Sequence, residues 1–307
     1  MILDLDGTLL TAHSDKEGAA GTYKGGFGFH PLLCYEATTE EALAGLLRPG
    51  NAGFNTAADH IEVLEQGLAQ LPADSVNAGL LVRCDRSGAT HAFVDHVVAR
   101  GLRFSVGLDL TEPVRAAILT LPESAWQPAL AQDGEDREGA WVAKLPLDLS
   151  AWPHGTRAIC RRERPHPGAQ LSFSDHNGYR FQVFLTNQQG KRIARLEQLH
   201  RARAACEDRI RCGKQSGLRN LPFRAFQPNA AWLELVLIGQ DLLVWTQRLL
   251  LEGELARCEP KRLRYRLLHV AARLTRHARR LVLHLPRAWP WQHELLRAFE
   301  RLRALPA

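Results

Sequence analysis

The chain has 307 residues, 45% of them apolar, enough to bury one large core or two smaller ones. Its formal charge of +6 is carried mostly by arginine, which favours an acidic partner such as nucleic acid and suits bidentate phosphate contact. The six cysteines (Cys34, Cys84, Cys160, Cys206, Cys212, Cys258) form no CxxC pair, so reduced thiols are expected rather than a zinc site. No signal peptide is expected, and the most apolar stretch, Ala230 to Leu251, carries Glu234, Gln240, Asp241 and Arg248. It therefore reads as a core helix and not as a membrane span.

The chain opens on Ile2-Leu3-Asp4-Leu5-Asp6-Gly7-Thr8, a period-2 alternation that predicts a strand with one apolar and one acidic face. Two carboxylates on neighbouring same-face positions repel each other unless something positive lies between them, and a divalent cation is a common answer. A glycine-rich segment, Ser14 to His30, follows without the GKS/T ending of a phosphate-binding loop, and reads as a hairpin connection. Phe27 to Tyr35 and Ala42 to Leu47 read as strands. Asn55 or Thr56 can cap a helix that runs to about Gln70. Gly79 to Asp85 is an apolar run ending in an acid: a buried strand that delivers a carboxylate at its C-terminal edge. Gly88 to Arg100 reads as a helix and Leu102 to Leu108 as another buried strand.

From Glu112 to Gln189 short alternating runs predict a small antiparallel β insertion: Trp141 to Leu145, Thr156 to Arg162, Gln170 to Ser174 and Phe181 to Thr186. Arg161-Arg162-Glu163-Arg164-Pro165-His166 reads as its basic tip, either a solvated turn or a DNA-contacting arm. Helices are expected over Arg192 to Arg211, Ala230 to Leu251, Lys261 to about Arg280 and Pro290 to Leu302. The tail from Arg257 to Arg303 is dense in arginine, which makes a basic helical face for phosphate. On a continuous helix of ~100° per residue, His200, Arg203, Glu207 and Lys214 fall within roughly 60° of one another. One acid among bases on one face suits a metal-binding carboxylate beside a phosphodiester, and equally a surface helix laced with ion pairs.

The spacing His200-x2-Arg203-x3-Glu207-x6-Lys214 resembles the Tyr-x2-Arg-x3-Glu-x6-Lys signature of one large group of DDE transposases of bacterial insertion sequences, with His in place of Tyr. The resemblance implies an α/β fold: a ribonuclease-H-like mixed sheet with helices, interrupted by the antiparallel β insertion and followed by C-terminal helices. It implies a core over residues 1–111 and 190–220, the insertion over 112–189, and a basic helical region over 221–307. It also implies that Asp6, Asp85 and Glu207 are the acidic triad. They would hold two Mg²⁺ ions, with Mn²⁺ tolerated, and would cleave and rejoin DNA strands. His200, Arg203, Lys214, Arg161 and Arg162 are the implied DNA contacts, and Asp4 has a supporting part. An aromatic residue of the insertion, Trp141 or Trp152, would stack on a displaced base or pack in the core.

The implied partner is DNA, at transposon ends and target, engaged by a homodimer in the bacterial cytoplasm and on the nucleoid, with no membrane. Family members carry a DNA-binding region ahead of the first catalytic strand, so this chain is expected to lack it and to lose specific end recognition. Two other readings compete. Asp4-Leu5-Asp6-Gly7-Thr8 also resembles the first motif of haloacid-dehalogenase-like phosphatases, with Asp4 as nucleophile and Asp6 as general acid, and Asp109 is the nearest candidate for the later acidic pair of that family. A DNA-binding remnant without nuclease activity is the other.

Overall fold

The fold is taken from a computed structural model describing residues 1–77, 79–165, 168, 175–190 and 192–306. Strand β1 (Ile2–Gly7) alternates as its pattern predicts. Leu3 and Leu5 are buried in the main apolar cluster, while Asp4 and Asp6 face arginines on the other side of the sheet. β2 (Leu10–Thr11), β3 (Ala20–Gly21) and β4 (Phe27–Phe29) form a small separate sheet in the order β2-β4-β3. Its strands approach so closely that a Cβ on Gly28, at φ +158°, would lie 1.9 Å from the Leu10 carbonyl oxygen. Only glycine fits there.

β5 (Leu32–Glu36) and β6 (Ala42–Leu46) lead to helix α1 (Ala57–Ala69), and then come β7 (Leu81–Cys84), α2 (His91–Ala99), β8 (Arg103–Leu108) and α3 (Glu112–Leu119). The expected order of three strands, helix, strand, helix, strand is present. The predicted strand over residues 27–35 is divided at Pro31, so that its first part joins the small sheet. β9 (Gln127–Leu130), β10 (Asp136–Leu145), β11 (Arg157–Glu163) and β12 (Arg180–Thr186) pair antiparallel, as the alternating runs predict. They do not form a sheet of their own. β12 pairs with β8, giving one nine-stranded sheet in the order β6-β5-β1-β7-β8-β12-β11-β10-β9. The expected strand over residues 170–174 lies outside the described residues, as does His166.

Both faces of this mixed sheet are covered, which is why β7 is buried at every position. Helices α1, α2 and α3 pack their Val63, Leu64, Phe93, Val97 and Val114 on one face. The other face takes α4 (Ile193–Arg201) over the insertion strands, and α5 (Ala204–Gly213) with α6 (Phe226–Trp245) over β5 and β6. Arg192 to Arg211 is therefore not one helix. It breaks at Ala202 and Arg203, because α4 follows β9 and β10 while α5 packs against β1.

The tail differs more. The helix expected over Lys261 to Arg280 is replaced by a short α7 (Pro260–Leu263), a wide turn to Leu268, and an antiparallel hairpin of β13 (Arg273–His277) and β14 (Arg280–His284). Leu274, Thr275 and Arg276, and then Leu281, Val282 and Leu283, alternate with strand period, and arginine density conceals it. Helix α8 (Gln292–Ala304) closes the chain.

The second strand acid has a built-in partner. Asp4 sits opposite Arg83 in the β1–β7 register, and the Arg83 fork grips both its oxygens at 2.6 and 2.7 Å with each side chain about 2% exposed. Burial pushes the Asp4 carboxyl above its usual range despite that fork. Breaking such a pair leaves a buried charge without compensation. Arg83→Leu is expected to cost about 3–5 kcal/mol in urea unfolding, and adding Asp4→Leu is expected to recover most of that loss.

Candidate active site

Asp6 and Glu207, far apart in sequence, meet at the Arg203 guanidinium, and Asp85 lines the cleft beside it. Asp6 lies near the end of β1, where Arg203 Nη1 donates to its Oδ2 at 3.2 Å. Asp85 follows β7 and caps the turn after it, with its Oδ1 accepting from the Ser87 amide at 2.9 Å and from the Ser87 hydroxyl. Glu207 stands in the first turn of α5, where its Oε1 is 3.4 Å from Arg203 Nη2 and its side chain is 64% exposed. Burial, opposed by Arg203 and reinforced by Asp85 and Glu207, pushes Asp6 up to about 7. Arg203 loses water as well, but Asp6, Asp85 and Glu207 outweigh that loss and hold it more firmly charged than usual.

The break between α4 and α5 makes this arrangement. Arg203 is the residue at the joint, so its side chain reaches back to β1 while Glu207 stays one turn along. Lys214, at the end of α5, is half-buried; burial and the neighbouring Arg219 and Lys24 weaken its hold on a proton, and Asp6 counteracts them. The glycine-rich segment thus contributes a lysine to the same neighbourhood. An open cleft of about 700 Å³ runs alongside, lined by Asp85, Arg86, Asp109, His200 and Arg203 among others. Asp109 is engaged by Arg86 at 3.0 Å.

His200 is turned away from the acids. Its ring stacks on Phe184 at 4.3 Å and its Nδ1 meets the Ser105 hydroxyl at 2.8 Å. Burial, with Arg203, Arg83 and Arg161 nearby, lowers it to about 3, so the ring is neutral where a phosphate contact was expected. Arg161 and Arg162 are not at a tip. They lie within β11, both more than nine-tenths buried. Arg161 holds Glu197 at 2.8 Å and Glu163 at 3.1 Å. Arg162 grips both oxygens of Glu123 and is stacked over Trp126, Trp141 and Tyr179 at 4.5 to 5.1 Å. Neither guanidinium is open to DNA, because a strand interior offers them carboxylates first. Trp152 packs on His91 at 4.1 Å.

Two supporting residues escaped the sequence reading. His60, 1% exposed, donates through Nδ1 to the Thr56 carbonyl at 2.9 Å and meets the Ser87 hydroxyl through Nε2 at 3.1 Å. The single Ser87 hydroxyl hydrogen serves either Asp85 or His60, and the Ser87 amide holds Asp85 in both cases. A histidine on the inner stripe of α1 carries no signal of that role in sequence. All six cysteines are free and buried, and burial raises each thiol.

The carboxylates of Asp6, Asp85 and Glu207 are hard oxygen donors of the kind a divalent cation takes, but the chain does not draw them together closely enough to hold one. In this structure Arg203 bridges Asp6 and Glu207 instead. Among the described residues no three His, Cys, Asp or Glu side chains are close enough to hold one ion. Among the described residues no helix is long and apolar enough to cross a membrane.

A family model described as transposase DDE domain group 1 matches residues 1–307. Among solved structures the chain is similar to a piggyBac transposase in a synaptic complex with hairpin DNA, at 9% identity over 79% of this chain and 46% of that one, with a TM-score of 0.46. It is similar also to a trimeric exonuclease, PhoExo I from Pyrococcus horikoshii OT3, at 12% identity over 62% of this chain and 99% of that one, with a TM-score of 0.20. The chain thus spans less than half the length of the piggyBac chain. No curated protein matches it.

The depressed His200 sets a pH dependence. The unfolded chain takes up a proton below about 6.5 that the folded ring refuses until about 3. Stability is therefore complete above the unfolded value and is lost as pH falls through that window. Thermal midpoints measured from pH 7 to pH 4 are expected to fall, and His200→Gln is expected to flatten the fall.

Proposed function

Because the chain belongs to the transposase DDE domain group 1 family, we propose that it cleaves DNA strands at the ends of an insertion sequence and joins them to target DNA, with Asp6, Asp85 and Glu207 as its acidic triad. The observation that carries this reading is Arg203: its guanidinium pairs with Asp6 of β1 and Glu207 of α5, and it lines one cleft with Asp85 from the end of β7. In cleavage a water oxygen adds to phosphorus as the bridging 3′-oxygen leaves; the 3′-hydroxyl so formed attacks a target phosphodiester in turn. Two Mg²⁺ ions, or Mn²⁺ in their place, held by the three acids, would activate the attacking oxygen and stabilise the leaving one.

The chain's own residues orient that chemistry. The Ser87 amide occupies one oxygen of Asp85, and among the described residues the other oxygen has no hydrogen-bond partner. Arg203 aligns Glu207 and has the planar fork that suits a phosphodiester. Lys214, with Lys24 and Arg219, forms a cationic shelf beside Asp6 for the scissile strand. We assign the catalytic part to residues 1–111 and 190–220, with the insertion 112–189 and the region 221–307 built onto it. DNA is the partner, two copies act on paired ends, and the setting is the bacterial cytoplasm and nucleoid.

The phosphatase reading finds no support, since both oxygens of Asp4, its required nucleophile, are held by Arg83. A remnant that binds DNA without cutting it differs in activity alone. Asp6→Asn, Asp85→Asn and Glu207→Gln are each expected to lower Mg²⁺-dependent nicking of duplex DNA by at least about 10³-fold, with DNA affinity kept. Unchanged nicking by Glu207→Gln overturns the triad. Absence of nicking in the unaltered chain favours the remnant. Hydrolysis of p-nitrophenyl phosphate that is lost on Asp4→Asn would restore the phosphatase.

A further inference from the structure

Between Glu259 and Glu294 the chain has nine Lys and Arg residues and no acid. The β13–β14 hairpin lies in this stretch and contributes Arg273, Arg276, Arg279 and Arg280. In the body of the protein the buried and half-buried Arg48, Arg83, Arg161, Arg162, Arg203 and Arg209, and the more exposed Arg211, hold carboxylates, while Arg103, Arg115, Arg219 and Arg224 are scattered without an ion pair among the described residues. Among the described residues the four hairpin arginines form no ion pair, and all four are exposed.

The hairpin is a two-stranded ribbon standing off the body, joined at its tip by Ala278 and Arg279. Its register places Arg273, Thr275, His277, Arg280 and His284 on one face, with Val282. Leu274, Arg276, Leu281 and Leu283 share the other. The base is anchored. Trp289 and Trp291 meet at 5.6 Å, Tyr265 lies 6.2 Å from Trp291, Arg266 covers Trp291 at 5.2 Å, and the Trp289 indole donates to the Arg266 carbonyl at 2.9 Å. A fixed base with a projecting ribbon is the shape that a duplex groove admits.

We propose that the β13–β14 ribbon is a DNA-binding arm that enters a duplex groove, where its arginines, carried on both faces and at the tip, meet the phosphates. This deepens the function proposed above and rests on DNA being the substrate. Charge selects the occupant: four unpaired arginines and no acid within the ribbon fit a polyanion and repel a second copy of the same basic ribbon. The three exposed leucines of the other face cover far less than the roughly 1,000 Å² that a stable dimer interface needs. An isolated two-stranded hairpin is marginal alone in water, so the arm gains order where DNA covers it.

The test is binding of the full chain to a short fluorescent duplex across a salt series, followed by anisotropy. The variant Arg273→Gln/Arg276→Gln/Arg279→Gln/Arg280→Gln is expected to bind about tenfold or more weakly at low salt, and to lower the slope of log K against log salt by about 2–4. Its thermal midpoint should not move, because the altered side chains are exposed and, among the described residues, form no ion pair. Leu274→Gln/Leu283→Gln keeps the charge and should keep the slope. An unchanged slope in the arginine variant overturns the arm. A leucine variant that shifts the sedimenting mass while the arginine variant leaves the slope alone assigns the ribbon to a second copy, and also overturns it. Glu207→Gln separates the two proposals: loss of nicking with the slope intact concerns the triad, and loss of slope in the arginine variant concerns the arm.

Discussion

Arg83 ties the middle of the sheet to the helix that covers it. It rises from the middle of the sheet, grips Asp4 on the neighbouring strand, and donates a further bond to the Leu199 carbonyl near the end of α4. A buried guanidinium needs hydrogen-bond partners, and each nitrogen of this one finds a partner on β1 or on the helix above. The joint between α4 and α5 is thereby pinned over the acidic face of β1. Arg203 occupies that joint, which is why it meets Asp6 rather than solvent.

The arginines then divide by what lies within reach. Inside the fold they neutralise carboxylates: Arg83 with Asp4, Arg161 with Glu197, Arg162 with Glu123. At the candidate site one arginine pairs with Asp6 and Glu207, and burial, reinforced by the neighbouring Asp85 and Glu207, still raises Asp6. On the C-terminal ribbon there are no acids to serve. A net charge of +6 therefore does not spread evenly over the surface; it emerges where pairing stops.

Much of the frame was legible in the residues. The alternation of β1, the apolar run of β7 ending in Asp85, and the order of helices and strands through β8 follow from hydrophobic periodicity, which is local. The insertion strands were legible for the same reason, but their attachment to β8 was not, since edge pairing depends on which strand is left open. The ribbon was misread as helix because dense arginine masks a period-2 apolar pattern. Spacing placed Arg203 and Glu207 together correctly, whereas His200, one residue group earlier, falls on the far side of the helix break and packs on Phe184.

What the sequence by itself determined was the strand that carries Asp4 and Asp6, the strand that ends in Asp85, and the family signature around Glu207, because each is written in a short contiguous pattern. What only the tertiary structure decided was the partner of every charge. Asp4 belongs to Arg83, Arg161 and Arg162 to glutamates, Arg203 to the acids, and the ribbon arginines to none among the described residues. Pairing of charges depends on distance and on loss of water, and both are set by packing between segments up to about two hundred residues apart.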